Sequence, residues 1–221
     1  EPYTTLAQRS LYQSLRGEIR RAFGEARAAL EWLPEESRGE VEQVTRLEQE
    51  LIERVRRLTS VKFDAKRIRL HGDYRLDEIL ASGNDYAFFD FAGDTTRPMS
   101  ERRLKQSPLK DVADLLRSFH YAALASLYEQ IEFGTIPTER LSDLEPWATS
   151  WYRWVSGAFL SAYLEGMAGT GLLPSDETSA AALLDAFMFE KAARELTWEI
   201  HNRPTWARIP ARGILESLED R

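Results

Sequence analysis

The apolar positions of this chain fall into helical stripes at both ends, with a short stretch of alternation between them. From residue 4 to residue 33, Leu11, Leu15, Ile19, Phe23, Ala26 and Leu30 recur three or four residues apart, which is one face of a helix. Pro34 ends the run. Ser37, with Glu40 three residues on, reads as a capping box that opens a second helix. Its stripe of Val41, Val44, Leu47, Leu51, Ile52 and Val55 continues to about Leu58. The two helices are expected to pack as a hairpin within the domain, because the heptad-like pattern is too short to favour a coiled-coil partner.

The period changes at Val61. Arg67-Ile68-Arg69-Leu70-His71 alternates with a period of two, which predicts a strand. Glu78-Ile79-Leu80-Ala81 and Tyr86-Ala87-Phe88-Phe89-Asp90-Phe91 read as two more strands. Gly83-Asn84-Asp85 between them supplies residues that tolerate the positive φ of a hairpin turn. A polar loop runs from Gly93 to Pro108, and then the helical period returns. Helices are predicted over 108–131, over 144–168 with Trp147, Trp151, Trp154, Phe159 and Tyr163, over 176–202, and over 210–218. The expected fold class is mainly α with a small β patch, α+β, in one unit spanning 1–221. Residues 1–60 are its helical hairpin, 61–93 its loop and β-hairpin, and 94–221 its helical part.

Composition narrows the chemistry. Of 221 residues, 43% are hydrophobic and 29% charged, which is ordinary for a globular chain. A net charge of -7 argues against a nucleic-acid partner. With no cysteine, disulfides, thiolate zinc sites, iron–sulfur clusters and cysteine nucleophiles are excluded. His71, His120 and His201 are too scattered for a histidine metal cage. No apolar run approaches the roughly 20 residues that cross a bilayer, so no membrane partner is expected. Nothing at the start resembles a secretion signal, and a cytoplasmic location is expected. The opening Glu1-Pro2, without methionine, reads as the start of a piece from a longer protein.

The informative stretch is His71-Gly72-Asp73-Tyr74-Arg75-Leu76-Asp77-Glu78, followed by Asp90-Phe91-Ala92-Gly93. Protein kinases carry H-R-D-x-x-x-x-N and then D-F-G. Their first Asp accepts the substrate hydroxyl proton. The residue five positions later and the Asp of the second motif hold Mg²⁺. Here Asp73 takes the place of the base, and Glu78 and Asp90 those of the metal ligands. Each motif alone has an ordinary structural reading; their order, spacing and strand–loop–hairpin setting together favour phosphoryl transfer. Glu78 and Asp90 stand at the two ends of one hairpin, so they are expected to reach one cation. His71 is expected to brace the loop through a hydrogen bond rather than carry a proton.

These motifs, with Pro98-Met99-Ser100-Glu101-Arg102-Arg103, the run Lys105 to Ala113, Leu116 to Ala123, Phe189-Glu190-Lys191-Ala192 and Asn202 to Pro210, resemble the maltokinases. The similarity is closer to the maltokinase portion fused to trehalose synthases, and it begins as early as Gln8-Arg9-Ser10-Leu11-Tyr12-Gln13. That family consists of aminoglycoside-phosphotransferase-like kinases that make maltose 1-phosphate from maltose and ATP. The resemblance implies the C-terminal lobe of a protein-kinase-like fold, with ATP and Mg²⁺ as cofactors and maltose or a related disaccharide as substrate. Asp73 would then be the base toward the anomeric hydroxyl, and Asp90 a Mg²⁺ ligand. The family's Lys-x-x-Tyr-x-x-x-Tyr helix, which helps form the sugar site, corresponds to Lys191, Arg194 and Trp198. Read without the resemblance, Trp198 would be core and Lys191 a solvated charge.

This sequence departs from the family at several positions. Arg75 stands for His, Asp77 for Gly, Glu78 for Gln, Ala92 for Glu and Asp94 for Glu. No Gly-rich phosphate loop and no strand lysine with a partner Glu are found, so the N-lobe of the same protein is an expected partner. The alternative is a catalytically impaired homologue that acts as a binding or scaffold lobe. A redesigned or variant sequence on that backbone is a further one.

Overall fold

The structure is a computed structural model, and it describes residues 1–219. α1 (Thr5–Ala29) opens where the Thr4 side chain accepts the Ala7 amide, and it buries Leu11, Leu15, Ile19, Phe23 and Ala26 along the expected stripe. The second helix differs from expectation in two ways. It is broken at Arg46–Leu47 into α2 (Glu35–Thr45) and α3 (Glu48–Arg56). It also has no capping box, because Pro34 occupies the cap position and the Ser37 hydroxyl bonds back to the Pro34 carbonyl. Glu35 and Glu36 then fill the first turn, where the helix dipole favours acids.

The strand expected over 67–71 does not form. Ile68 exchanges amide bonds of 2.9 and 3.0 Å with Gln106, and Lys66 bridges to Pro2, but neither contact extends into a ladder. The partner chain at Gln106 turns through Ser107 and Pro108 directly into α5 (Leu109–Glu132), so the pairing has nowhere to continue. The hairpin does form, as β1 (Ile79–Ser82) and β2 (Asp85–Phe88), paired Ile79↔Phe88 through Ser82↔Asp85. Its turn is Gly83-Asn84, with Gly83 at φ 63°, and Asp85 belongs to β2. The strands are shorter than predicted. Glu78 lies in a 3₁₀ turn (Leu76–Glu78), and Asp90 takes a left-handed φ of 56° that ends the extended chain. The polar loop carries one short helix, α4 (Met99–Arg102).

The remaining helices are α6 (Leu141–Met167), α7 (Glu177–Asn202) and α8 (Arg208–Glu219). α6 starts earlier than its sequence stripe, with Pro146 inside it. α7 is the central element: α1, α3, α5 and α8 all pack on it. Phe23, Leu116, Phe187, Phe189 and Leu196 are buried around it. Each such side chain contributes roughly 1.5–3 kcal/mol by leaving water. α5 and α7 also share a polar seam. Along it Lys110 meets Glu190 at 3.2 Å, Asp114 meets Lys191 at 3.9 Å, Arg117 meets Glu195 at 2.8 Å, and Tyr121 bonds Glu199 at 2.9 Å. The seam passes Asp73 at its second rung, where Lys191 also reaches that carboxylate. Among the described residues no helix is long and apolar enough to cross a membrane.

Candidate active site

The loop that carries Asp73 is held by one carboxylate. Asp111, in the first turn of α5, accepts the His71 amide at 2.8 Å and the Gly72 amide at 2.9 Å. Burial raises the Asp111 carboxyl above its ordinary range, and these two amides pull against that rise. Gly72 sits at φ 87°, and a Cβ there would lie 3.2 Å from the Gly93 Cα, so the loop and the segment after Asp90 touch backbone to backbone. The Asp94 amide donates to the Gly72 carbonyl at 3.2 Å and closes this contact.

His71 joins the loop to the hairpin. Its Nε2 lies 2.7 Å from the Phe89 carbonyl, which makes Nε2 the protonated nitrogen. Its ring packs 4.7 Å from the Phe91 ring. Both contacts tie the catalytic-loop candidate to the segment after the hairpin. Behind them lies an apolar groove of about 360 Å³, walled in part by Tyr74, Phe88, Phe91, Phe159 and Tyr163.

Asp73 is gripped from both sides. Its Oδ1 accepts from Lys191 Nζ at 3.2 Å, and its Oδ2 lies 3.2 Å from Arg75 Nε. Burial pulls Lys191 down, but Asp114, Glu195 and Asp73 together outweigh it and leave the amine above its usual value. Lys191 is therefore a fixed cation at the candidate base. Arg75 also reaches Asp77 at 3.1 Å and Glu78 at 3.3 Å. Burial opposes the charge of Arg75, and Asp73, Asp77 and Glu78 raise its pKa in spite of it.

Glu78 is buried, with Oε1 on Arg75 and Oε2 without a hydrogen-bond partner. Asp90 follows Phe89, whose amide donates to the Glu78 carbonyl at 3.3 Å, so the hairpin does bring the two backbones together at its open end. The exposed Asp90 side chain accepts weakly from the Ala92 amide at 3.4 Å. Among the described residues no three acidic or histidine side chains form a metal cage. Mg²⁺ does not need one, because it is commonly held by one or two carboxylates plus substrate phosphates and water. The orphaned, buried Oε2 of Glu78 has the donor chemistry such an ion takes.

The three α7 positions part company. Lys191 reaches Asp73. Arg194 turns instead to the loop after the hairpin, pairing with Asp94 and bonding the Thr96 hydroxyl at 3.1 Å. Burial would raise the Asp94 carboxyl, but the Thr96 hydroxyl and Arg194 outweigh it and lower it to about 2. Trp198 lies seven residues, about 10 Å of helix, beyond Lys191. It is 46% exposed and carries the Arg203 guanidinium 4.8 Å from its ring. It is not a core residue.

Sequence reasoning passed over Asp111, Asp114 and the buried Glu190. Glu190 bonds Arg97 and lies 3.2 Å from Lys110. Burial raises its carboxyl, while Lys110 and Arg97 more than reverse this, to about 2. The signal was present as acidic residues at inward positions of otherwise apolar helix faces: 111 and 114 on α5, 190 on α7.

No family model matches the chain. A curated glucosamine kinase from Streptacidiphilus jiangxiensis is 24% identical over 155 residues, which is 70% of this chain and 32% of that protein. A crystal form of glucosamine kinase superposes with a TM-score of 0.78 at 20% identity, covering 100% of this chain and 48% of the other. A glucosamine kinase bound to glucosamine, ADP and inorganic phosphate superposes at 0.77 and 20% identity, over 99% of this chain and 46% of its own. The chain thus has a fold found in sugar kinases. It matches just under half of each of those glucosamine kinase chains, and about a third of the curated relative.

Proposed function

We propose that this chain carries the catalytic base and the acceptor side of an ATP-dependent sugar kinase, and that its fold is the C-terminal lobe of that enzyme. The observation that carries the reading is the placement of Asp73. It sits on a loop pinned by Asp111 and His71 and is held between Lys191 and Arg75, beside the hairpin that ends at Asp90. The likeness to glucosamine kinases, one of them holding ADP, phosphate and a sugar, supports the same chemistry. The resemblance to maltokinases supports maltose as acceptor and maltose 1-phosphate as product.

In this reading Asp73 takes the proton of the sugar hydroxyl as that oxygen bonds to the γ-phosphorus and ADP leaves. Lys191 keeps the carboxylate turned to the acceptor and stabilises its negative charge. Asp90 and Glu78 would hold Mg²⁺, which would neutralise charge on the phosphates when bound. The α7 face around Lys191 and Arg194 would border the sugar, with Trp198 at its outer edge. The phosphate-covering loop and its lysine would come from an N-lobe. Such an ATP consumer would work in the cytoplasm.

One observation favours a second reading, an impaired scaffold lobe: both oxygens of Asp73 and one of Glu78 are already occupied by cations of the chain itself. The test is sugar-dependent ADP release by the protein joined to its N-lobe, with Mg·ATP and maltose, glucosamine or glucose, and Asp73→Asn as the blank. Turnover with maltose that is lost in the blank supports the kinase. A preference for glucosamine corrects the acceptor. Sugar and nucleotide binding without turnover supports the scaffold. The 221-residue chain alone is expected to give none, because positioning of ATP supplies roughly 7–11 kcal/mol of such a barrier.

A further inference from the structure

We infer that Arg75 is the resident counter-cation of the acidic corner formed by Asp73, Asp77 and Glu78, and that it holds this corner against a free divalent ion. The inference rests on the proposed reading of Glu78 and Asp90 as metal ligands.

Three nitrogens of one guanidinium each meet a different carboxylate, at 3.2, 3.1 and 3.3 Å. The local chain builds this fork. Arg75 is extended (φ -127°, ψ 166°), and the following 3₁₀ turn brings Glu78 back, with its amide on the Arg75 carbonyl at 3.0 Å. The Leu76 amide donates to the Ser118 hydroxyl at 3.0 Å and fastens the turn to α5. A planar guanidinium set in this way loses little freedom on pairing.

The consequence concerns Glu78. Its Oε1 already bears a cation, and its Oε2 is buried and unpartnered. An ion that approaches Glu78 must push the guanidinium off Oε1 or sit beside a like charge. Both penalties act at short range in a partly buried corner, where they are weakly screened. A metal that arrives with a polyphosphate escapes them, because phosphate oxygens offer the displaced guanidinium a strong partner. Metal and polyphosphate should therefore bind cooperatively, and the coupling must be reciprocal.

The probe is Mn²⁺, followed by electron paramagnetic resonance of the free ion, with and without pyrophosphate. The proteins are the wild type, Arg75→Gln, Asp90→Asn, Glu78→Gln and the double variant Arg75→Gln/Asp90→Asn. Arg75 is 39% exposed, so its replacement should leave the fold intact, which circular dichroism checks. We expect Arg75→Gln to bind Mn²⁺ alone at least about tenfold more tightly than the wild type, and pyrophosphate to help it less. Asp90→Asn should reverse the gain. If Arg75→Gln binds Mn²⁺ no more tightly than the wild type while Asp90→Asn and Glu78→Gln weaken it, the counter-cation role is wrong and the metal site stands. If Asp90→Asn changes Mn²⁺ binding in neither background, and Glu78→Gln changes it neither in the wild type nor in a second double variant, Arg75→Gln/Glu78→Gln, the metal site itself falls, and the role of Arg75 with it.

Discussion

Lys191 Nζ stands 3.2 Å from Asp73 Oδ1 and 3.9 Å from Asp114 Oδ1, so one amine joins the candidate base to a buried acid 118 and 77 residues away in sequence from its own position. Asp114 is only 2% exposed, its Oδ1 has no hydrogen-bond partner, and Lys191 is the cation that faces it. An uncompensated buried charge is costly. Lys191→Met should lower stability by about 3 kcal/mol. Adding Asp114→Asn should recover much of that loss without restoring activity. Urea unfolding of the two singles and the double measures the coupling. Strict additivity would show that the two groups do not sense each other.

A packing prediction concerns α8. A Cβ on Gly213 would stand 1.9 Å from Arg117 Nη1. Arg117 is among the largest fully buried side chains, and its guanidinium is pinned to Glu195 at 2.8 Å, so it has little room to retreat. Gly213→Ala should cost about 1–3 kcal/mol as an overpacked core site. Gly17, at an exposed position of α1 with nothing within 4 Å of a built Cβ, makes the control. Gly17→Ala should gain about 0.5–1 kcal/mol. Thermal unfolding should move Tm in opposite directions for the two.

Much of this architecture was legible in the sequence because most helices carry clear stripes. α1, α5 and α7 came out within a few residues at each end. The strand at 67–71 misled because alternation reports a two-sided environment, not a partner: Ile68 finds Gln106 and nothing further. Of the site, Asp73 and Lys191 could be paired only through family likeness. Their contact depends on how α7 packs against α5, which no local pattern encodes. Arg194 shows the same limit. Helical spacing placed it on the face of Lys191, but its length let it reach Asp94 instead.

Acid should weaken the fold in two separate windows. His120 is buried among Arg117 on its own helix, Tyr152 on α6, and Arg212 and Glu216 on α8. Burial first, and Arg117 next, lower it from 6.5 to about 4, against the pull of Glu216. The unfolded chain thus binds the proton first, and stability complete above pH 6.5 is lost as pH falls toward 4. Glu190, lowered from 4.5 to about 2, contributes stability that is complete above pH 4.5 and lost as pH falls toward 2. In unfolding midpoints measured against pH, His120→Leu should flatten the first window and leave the second. A first window unchanged in that variant would mean that His120 titrates normally.

The last expectation concerns the loop after the hairpin. Arg194 holds it at Asp94 and Thr96, and Arg97 holds it at Glu190. The segment from Asp94 to Arg97 is therefore tied twice to α7, on either side of Lys191, and it lies one residue beyond Gly93, which touches the Asp73 loop. Cutting one tie should loosen the loop without unfolding the bundle, because the second tie is the more buried one, with Glu190 only 6% exposed. In Arg194→Ala the Asp94 carboxyl loses a charge partner and should rise from about 2 toward its ordinary 3.8. Trypsin should then cleave faster after Arg102 or Arg103, just past the loosened segment. If the loop borders the sugar, KM for the acceptor, measured in the protein joined to its N-lobe, should rise severalfold while kcat changes little, the pattern of lost uniform binding. A fall in kcat at unchanged KM would mean that Arg194 acts on the transition state instead. Unchanged proteolysis would mean that Arg97 and Glu190 hold the loop without it.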